Sequence, residues 1–309
     1  MVKAPTVLVT GGQGFVGRHL VAALLDQGYG VIEYNREGGE VRRGAEYHHQ
    51  VIRGELSDWA RFLEVLSNVD VDAIIHTAGQ SHPAVSLDAP LGTVVANIDG
   101  TMAVLEAARQ NHVRRVVLMS SECAYGVCLE PEVDESHPLA PTTPYGVTKA
   151  TIDLMAHVYR TRYAVDVMSL RISQVYGPGQ RLPEDVHDML RCAIDRRPYR
   201  LSSGRDQKVQ LVHVQDVVQG LIKAAQIGVH RSTVYNITGG EQVTLGDLAQ
   251  MVRALVPDAV MELGEGLLGY DRQGLFSLRR AHEELGYVPQ VSLEQGLASY
   301  HHWLTEHEF

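Results

Sequence analysis

Cysteine is scarce in this 309-residue chain: Cys123, Cys128 and Cys192 are the only three, and none sits in a CxxC pair. An odd, scattered set argues against a disulfide framework or structural zinc and suits a reducing compartment. Long apolar runs are missing as well. No stretch approaches the roughly 18 continuous apolar residues needed to span a bilayer. The opening MVKAPTVLVT lacks the apolar core and small-residue cleavage site of a signal peptide, so a cytoplasmic location is the expectation. Basic runs are also absent. With 27 Lys plus Arg against 37 Asp plus Glu, the formal net charge is -10. Such a chain repels a phosphate backbone and an anionic membrane surface, so neither partner is expected. Fifteen histidines carry no ligand spacing: His48-His49 and His301-His302 are adjacent and diverge, and no HExxH occurs, so no metal is expected.

What is present is the balance of a globular protein, 45% hydrophobic and 21% charged. Short apolar runs alternate with amphipathic segments. Thr6 to Thr10, Tyr29 to Tyr34, Glu46 to Arg53, Ala73 to His76, Val116 to Met119 and Val165 to Leu170 read as strands. Phe15 to Gln27, Asp58 to Leu66, Thr93 to Gln110 and Tyr145 to about Arg162 read as helices. Continuous apolar strands separated by helices imply a doubly wound parallel sheet covered on both faces. Beyond Tyr176-Gly177-Pro178-Gly179 the pattern loosens, with one late return to the sheet around Leu211 to Ala225 and Val234 to Ile237. Asp58 and Asp247 read as first-turn acids of helices.

Between the first strand and first helix lies Thr10-Gly11-Gly12-Gln13-Gly14-Phe15-Val16-Gly17. Gly11 permits the tight turn, Gly14 lets backbone approach a pyrophosphate, and Gly17 allows close packing, the fingerprint of a dinucleotide-binding Rossmann fold. At the end of the second strand an acid favours NAD and a base accommodates the 2′-phosphate of NADP. Asn35-Arg36 stand there, with Glu33 two residues earlier. Either Arg36 takes the phosphate, which tilts the reading weakly to NADP, or Arg36 is solvated and Glu33 or Glu37 reaches the ribose.

Tyr145-Gly146-Val147-Thr148-Lys149 puts a phenol and an ammonium one helical turn apart on one face. An ordinary tyrosine, with pKa about 10, is a poor base near neutrality, and a nearby cation lowers that value. Such a phenol can take a hydroxyl proton while hydride leaves the same carbon. Ser120-Ser121 end the preceding strand, where a doubly wound sheet places its ligands.

On these residues the chain resembles the extended short-chain dehydrogenase/reductases, closest to the NAD-dependent epimerase/dehydratases acting on nucleotide sugars. The glycine turn, Ser121 with Tyr125-Gly126, Tyr145 through Lys149 and Val175 to Gln180 carry the likeness. Ile75 to Ala78, Asn97 to Thr101 and Leu285 to Pro289 extend it over nearly the whole chain. The resemblance implies catalytic roles for Ser121, Tyr145 and Lys149. It implies cofactor contacts at Gly11, Gln13, Gly14, Phe15, Val16, Gly17, Asn35, Arg36, Glu55, Leu56, Thr77, Ala78, Gly79, Asn97 and Ser120, besides Tyr145 and Lys149. It implies substrate contacts at Ser121, Glu122, Cys123, Gln174, Arg181, Lys208 and Arg272. Residues 1–175 plus 210–238 then form the dinucleotide-binding part, and 176–209 plus 239–309 a smaller interleaved substrate region.

Departures from the family bear on substrate. Gln174 stands where relatives have an Asn that helps hold the diphosphate, and Val209 where they have an arginine, although Lys208, Arg205 or Arg272 can supply charge. Glu122-Cys123 replace the Asp–Glu acid–base pair of the sugar dehydratases. A cysteine at the second position serves as acid–base in the epimerases that act on GDP-mannose. Cys123 therefore reads either as a thiol exchanging protons beside a 4-keto group or as a buried space-filler. Ile152, Met155 and Tyr159 form a stripe on the Tyr145 helix that can be plain core; relatives also pair this helix and the one near Val94 to Leu105 across a twofold axis, so a homodimer is expected. The resemblance implies an NAD(P)-dependent epimerase of a nucleotide-linked sugar working through a transient ketone. A simple dehydrogenase or reductase of a sugar, polyol, hydroxy acid or natural-product carbonyl is the alternative, and a non-enzymatic dinucleotide sensor a third reading.

Overall fold

The computed structural model describes residues 4–41 and 48–307. Seven strands form the central sheet: β1 Thr6–Thr10, β2 Gly30–Asn35, β3 His49–Arg53, β4 Ala73–His76, β5 Arg115–Ser121, β6 Val167–Ile172 and β7 Val234–Ile237. Their order is β3-β2-β1-β4-β5-β6-β7, and every neighbouring pair is parallel. β2, β4 and β6 are buried along their whole length. Burial on both faces is the physical reason their apolar residues run together without regular alternation, while the buried polar residues of β2 and β6, Glu33, Asn35, Ser169 and Arg171, are bonded inside the fold.

Successive side chains of each strand enter opposite cores. Val7 and Val9 of β1, with Ile75, Val117 and Leu170, pack against the helices Phe15–Asp26 and Val214–Gln226. Leu8, with Ile74, Val116 and Leu118, packs against Trp59–Ser67, Gly100–Gln110 and Pro144–Tyr163. Removing a fully buried leucine such as Leu8 to alanine costs about 2–5 kcal/mol. A third core joins the helices Asp185–Ile194, Leu245–Leu255 and Leu293–Glu306 beside the sheet. Among the described residues, no helix is long and apolar enough to cross a membrane.

Several expectations shift in detail. The third strand begins at His49, and Glu46 and Tyr47 of the expected strand lie outside the described residues. The stretch expected as one helix from Thr93 to Gln110 is interrupted by a π-helical turn at Val95–Asp99. Of the late return to the sheet, Val234–Ile237 joins β6, whereas Leu211–His213 pairs with Gln174–Tyr176 in a separate two-stranded sheet. β6 ends at Ile172, so the chain that follows is free to recruit its own partner. Asp58 caps its helix through Arg61 N–H, and Asp247 completes a capping box with Thr244.

Candidate active site

The glycine turn packs tightly on three of its glycines and is open at the fourth. Gly11 has φ +75°, and a Cβ there would meet the Ala78 backbone nitrogen at 2.7 Å. A Cβ at Gly17 would run into the Gly11 carbonyl, and one at Gly12 into the Glu33 carboxylate. Gly14 has ordinary φ, and its Cβ would approach only the Gly11 carbonyl, at 3.2 Å. The helix that begins at Phe15 and Val16 has no side-chain cap and no acid in its first turn. Its free N–H groups and positive dipole end therefore suit an anion.

At the end of β2, Glu33 is fully buried and accepts from Gln13 Nε2 (2.7 Å) and Asn35 Nδ2 (2.8 Å). Its other oxygen meets His49 Nε2 at 2.7 Å. Glu33 is thus occupied in holding the turn together and does not extend into the groove. Asn35 is buried, and its Oδ1 has no hydrogen-bond partner among the described residues. Arg36 is 71% exposed and lies 3.4 Å from Glu37. Glu55 is exposed, with its carbonyl accepting from Tyr34 Oη (3.2 Å), and Leu56 packs partly into the second core. An uncapped helix end, a glycine without a side chain beside it and an orphaned acceptor at the adjoining strand end together fit a dinucleotide. Gly11 to Gly17 would receive its phosphates and Asn35 its adenosine ribose.

The tyrosine helix Pro144–Tyr163 starts at a Thr143 cap, whose hydroxyl accepts from Gly146 N–H at 3.1 Å, with Pro144 preorganising the first turn. Several bonds hold its first turns. Tyr145 N–H donates to Ser86 Oγ (3.1 Å), and Thr148 Oγ donates to the Tyr145 carbonyl (2.7 Å) and accepts from Asn97 Nδ2 (2.9 Å). Asn97 comes from the π-helical turn, and its Oδ1 also accepts from Gln80 N–H at 2.8 Å. Gly79, with φ +152°, leaves room for that side chain, since a Cβ would come within 2.7 Å of it. Thr77 Oγ1 donates to the Thr10 carbonyl at 2.8 Å, and the Ala78 N–H approaches Thr10 Oγ1 at 3.4 Å. The glycine turn and the strand after it are thereby tied together.

Tyr145 and Lys149 are both buried, with Lys149 Nζ 5.5 Å from the centre of the Tyr145 ring. Burial pushes the Tyr145 phenol up, the Cys123 thiol adds to this, and a hydrogen bond with Ser121 opposes both. Lys149 is pulled down to about 8 by burial, against the pull of Asp153 and Cys123. Its ammonium donates to the Met119 carbonyl at 2.7 Å. Burial is thus the largest influence on the phenol, and the lysine's ammonium is directed at the end of β5. Asp153, one turn further along, was missed from the sequence although it repeats the same four-residue spacing. It pairs with Arg171 (2.7 Å) and Ser169 (2.5 Å), fixing the helix to β6. His76, held between Thr10 and Thr101 hydroxyls, is pushed down to about 3 by burial and then Lys149, and stays neutral.

β5 delivers Ser120 and Ser121 to the same place. Ser120 Oγ donates to the Lys149 carbonyl (3.4 Å), and Ser121 Oγ accepts from Cys123 N–H (3.2 Å), capping a single 3₁₀ turn over Glu122–Ala124. Burial, then Glu122, pushes Cys123 up to about 12. Gln174 donates its backbone N–H to the Gln210 carbonyl (3.2 Å) and its side chain to Glu184 (3.3 Å). Gln273 Nε2 reaches the Glu122 carbonyl at 3.3 Å, which brings exposed Arg272 over the Ser121 loop. Exposed Lys208 lies two residues before Gln210, whose side chain donates to the Gly274 carbonyl at 2.9 Å, so the segments that carry Lys208 and Arg272 adjoin. Arg181 lies elsewhere. Its charge helps depress Arg18, which donates to the Gly14 and Gln13 carbonyls (3.3 and 3.2 Å), so Arg181 sits at the glycine-turn end of the groove. Glu184 and His82, whose side chains come within 3.9 Å, carried no sequence signal.

A doubly wound sheet with an anion-receiving glycine turn, and a buried Tyr–Lys pair at the end of a neighbouring strand, defines a dinucleotide-dependent α/β enzyme. The NAD dependent epimerase/dehydratase family matches residues 7–238, and the chain belongs to that family. It is 30% identical to a dTDP-glucose 4,6-dehydratase of Actinoplanes sp., over 96% of this chain and 97% of that protein. Its fold superposes on a UDP-glucose 4-epimerase with UDP-glucose from Thermotoga maritima with TM-score 0.86, at 25% identity, covering 97% of this chain and 99% of that one. MoeE5 in complex with UDP-glucose and NAD superposes with TM-score 0.85, at 29% identity, over the same shares of the two chains.

Proposed function

We propose that this chain is an NAD-dependent epimerase of a nucleotide-linked sugar that works through a transient ketone. The observation that carries this is the buried placement of Tyr145 and Lys149, with Ser121 bonded to the phenol, at the end of β5. In this reading Tyr145 Oη receives the sugar hydroxyl proton, and Ser121 bonds the same oxygen. Lys149 orients the phenol and supplies positive charge as the proton arrives. NAD, when held by the glycine turn and Asn35, would supply the hydride acceptor and donor for the alcohol carbon that Tyr145 and Ser121 orient. Burial holds Tyr145 protonated on its own. A nicotinamide cation, when bound, would add to the Lys149 charge and favour the phenolate, whose proton would leave to solvent before the sugar hydroxyl gives up its own.

NAD is favoured over NADP by the ribose corner. The unpartnered Asn35 Oδ1 suits a 2′-hydroxyl donor, and Arg36 is turned to solvent and Glu37. Arg272 and Lys208 are assigned to the diphosphate, residues 1–175 plus 210–238 to the cofactor and 176–209 plus 239–309 to the sugar. A homodimer is supported by exposed Val147, Leu154 and Val158 on the tyrosine helix, next to exposed Leu87, Leu91, Val94 and Val95. Ile152 and Tyr159 of the expected stripe face the second core. Location in the cytoplasm belongs to the same reading.

The test is incubation with UDP-glucose, UDP-glucuronic acid and dTDP-glucose. Isomer interconversion with no net change at the nicotinamide absorbance band is expected. A stoichiometric demand for added NAD+ with release of a ketone would overturn it in favour of a simple dehydrogenase.

A further inference from the structure

β4 and β6 flank β5 in the central sheet, and the segments that leave their carboxyl ends meet across it. Ser121 ends β5 opposite Ile172 of β6, so Glu122 and Gln174 follow from adjacent strand ends. His82 lies beyond β4, at the N-cap of the short helix Pro83–Asp88, whose Ser86 accepts from Tyr145 N–H at 3.1 Å. Glu184 reaches both sides. Its carboxyl accepts from Gln174 Nε2 (3.3 Å) and comes within 3.9 Å of His82 Nε2. It therefore spans the end of β5, where Ser121 stands and where a doubly wound sheet holds its ligands.

This corner is not bonded as a purely structural one would be. Glu184 occupies the N-cap of Asp185–Ile194 but makes no capping bond, although a residue there usually serves the helix N–H groups. Glu122 Oε2, Gln80 Oε1 and His82 Nδ1 are shut away from solvent with no hydrogen-bond partner among the described residues. Gln80 Nε2 donates to the His82 carbonyl at 2.8 Å, which holds these two side by side. Buried polar atoms are ordinarily bonded, so such a set is costly unless a ligand completes it. The free oxygens are acceptors, and hydroxyl groups are the donors that a sugar brings.

We infer that Glu184, with Glu122, determines specificity: the two accept hydroxyl groups of the sugar and exclude a sugar carboxylate. The inference rests on the proposed nucleotide-sugar reading and narrows its substrate class to neutral hexoses, setting uronic acids aside. Burial, then Glu184, pushes Glu122 up to about 8; burial pushes Glu184 up to about 7, with Asp185 and Asp188 adding to this and Gln174 and His187 opposing. Both carboxyls thus already resist a negative charge. A uronate would either meet them ionised or have to hold them protonated, and both lower its affinity. The cations of the groove have other partners. Lys149 donates to the Met119 carbonyl, Arg181 neighbours Arg18 at the glycine turn, and Arg272 and Lys208 are assigned to the diphosphate.

The test measures binding of UDP-glucose and UDP-glucuronic acid to the NAD-loaded protein by calorimetry, and turnover of each by chromatography. The two sugars differ only in a hydroxymethyl group against a carboxylate. Wild type should bind and turn over UDP-glucose about 100-fold better, the scale of a like charge brought into a closed site. Glu184→Gln keeps the side-chain size and removes the charge, so it should narrow that preference about tenfold, chiefly through KM for UDP-glucuronic acid. Glu122→Gln should narrow it as well. A merely structural role would move both sugars together and leave their ratio alone. A wild-type preference below about tenfold, or an unchanged ratio in both variants, would overturn the inference and leave the epimerase reading standing. Preferential binding of UDP-glucose without turnover of either sugar would remove the epimerase reading and leave the charge selection in place. Binding of neither sugar would overturn both.

Discussion

Asn35 gives its amide protons to Glu33 at 2.8 Å, and that bond decides which way its carbonyl oxygen faces. Replacing Glu33 with alanine removes the acceptor of the Gln13 and Asn35 amides and the carboxylate facing His49. The expected cost is about 2–3 kcal/mol of stability and about a tenfold loss in NAD affinity, read by melting and by titration. Arg36→Ala should change the NAD to NADP preference by less than about threefold, a few tenths of a kcal/mol, as for an exposed pair. A tenfold or greater loss of NADP binding alone in that variant would show that Arg36 reads the 2′-phosphate after all.

Two glycines of the turn should fail in different ways. Gly17→Ala drives a methyl into the Gly11 carbonyl, where backbone meets backbone and nothing flexible can give. About 2–3 kcal/mol of stability should be lost with it, in the range of overpacked cores. Gly14→Ala meets one carbonyl at 3.2 Å with ordinary φ, so the fold should survive within about 1 kcal/mol. Its methyl fills the phosphate face, and NAD affinity should fall at least tenfold. Equal melting losses in the two variants would contradict this division.

Tyr145→Phe removes one oxygen from a buried ring and should leave melting nearly unchanged, while sugar turnover drops about 10²–10⁴-fold. Lys149→Met removes the bond to the Met119 carbonyl as well as the charge, so it should lose turnover and also weaken NAD binding. Turnover within threefold of wild type in Tyr145→Phe would remove the phenol from the chemistry and favour a dinucleotide-sensing role.

The strand core and glycine turn were legible in the sequence because their signals are local. A run such as Val7-Leu8-Val9 buried on both faces has no polar alternation, and a turn with positive φ at Gly11 demands glycine. The π-helical turn at Val95–Asp99 was not legible, since one extra residue in a helical turn leaves the apolar spacing almost intact. Glu184 was hidden for a different reason. Its side chain meets Gln174 and, far off in sequence, His82, and such contacts have no local signature. On the tyrosine helix the stripe of Ile152, Met155 and Tyr159 packs into the second core, and Val147, Leu154 and Val158 form an exposed row that the spacing alone did not single out.

That exposed row makes its own prediction. Leu154 is 62% exposed in the middle of a 20-residue helix. A charge there would be harmless on a free surface and ruinous in an apolar interface. Leu154→Glu should convert a dimer to a monomer in sedimentation velocity and leave the circular dichroism spectrum unchanged. A wild-type protein that already sediments as a monomer would remove the dimer from the reading.

The buried acids should also be visible in stability alone. Glu122 is raised to about 8 and Glu184 to about 7 in the fold, whereas an unfolded glutamate titrates near 4.3. Below that unfolded value both states hold the protons, and the contribution is fully present. As pH rises, the unfolded chain releases protons that the fold still binds, so stability falls continuously until the folded groups ionise near pH 7 to 8. Wild-type melting temperature should therefore decline from pH 5 to pH 8. Glutamine keeps no proton to release in either state, so Glu122→Gln should flatten the decline, and Glu122→Gln with Glu184→Gln should flatten it further. The variants should gain on wild type at pH 8 and not at pH 5. Parallel curves across that window would mean that these carboxyls are ionised in the fold at neutral pH.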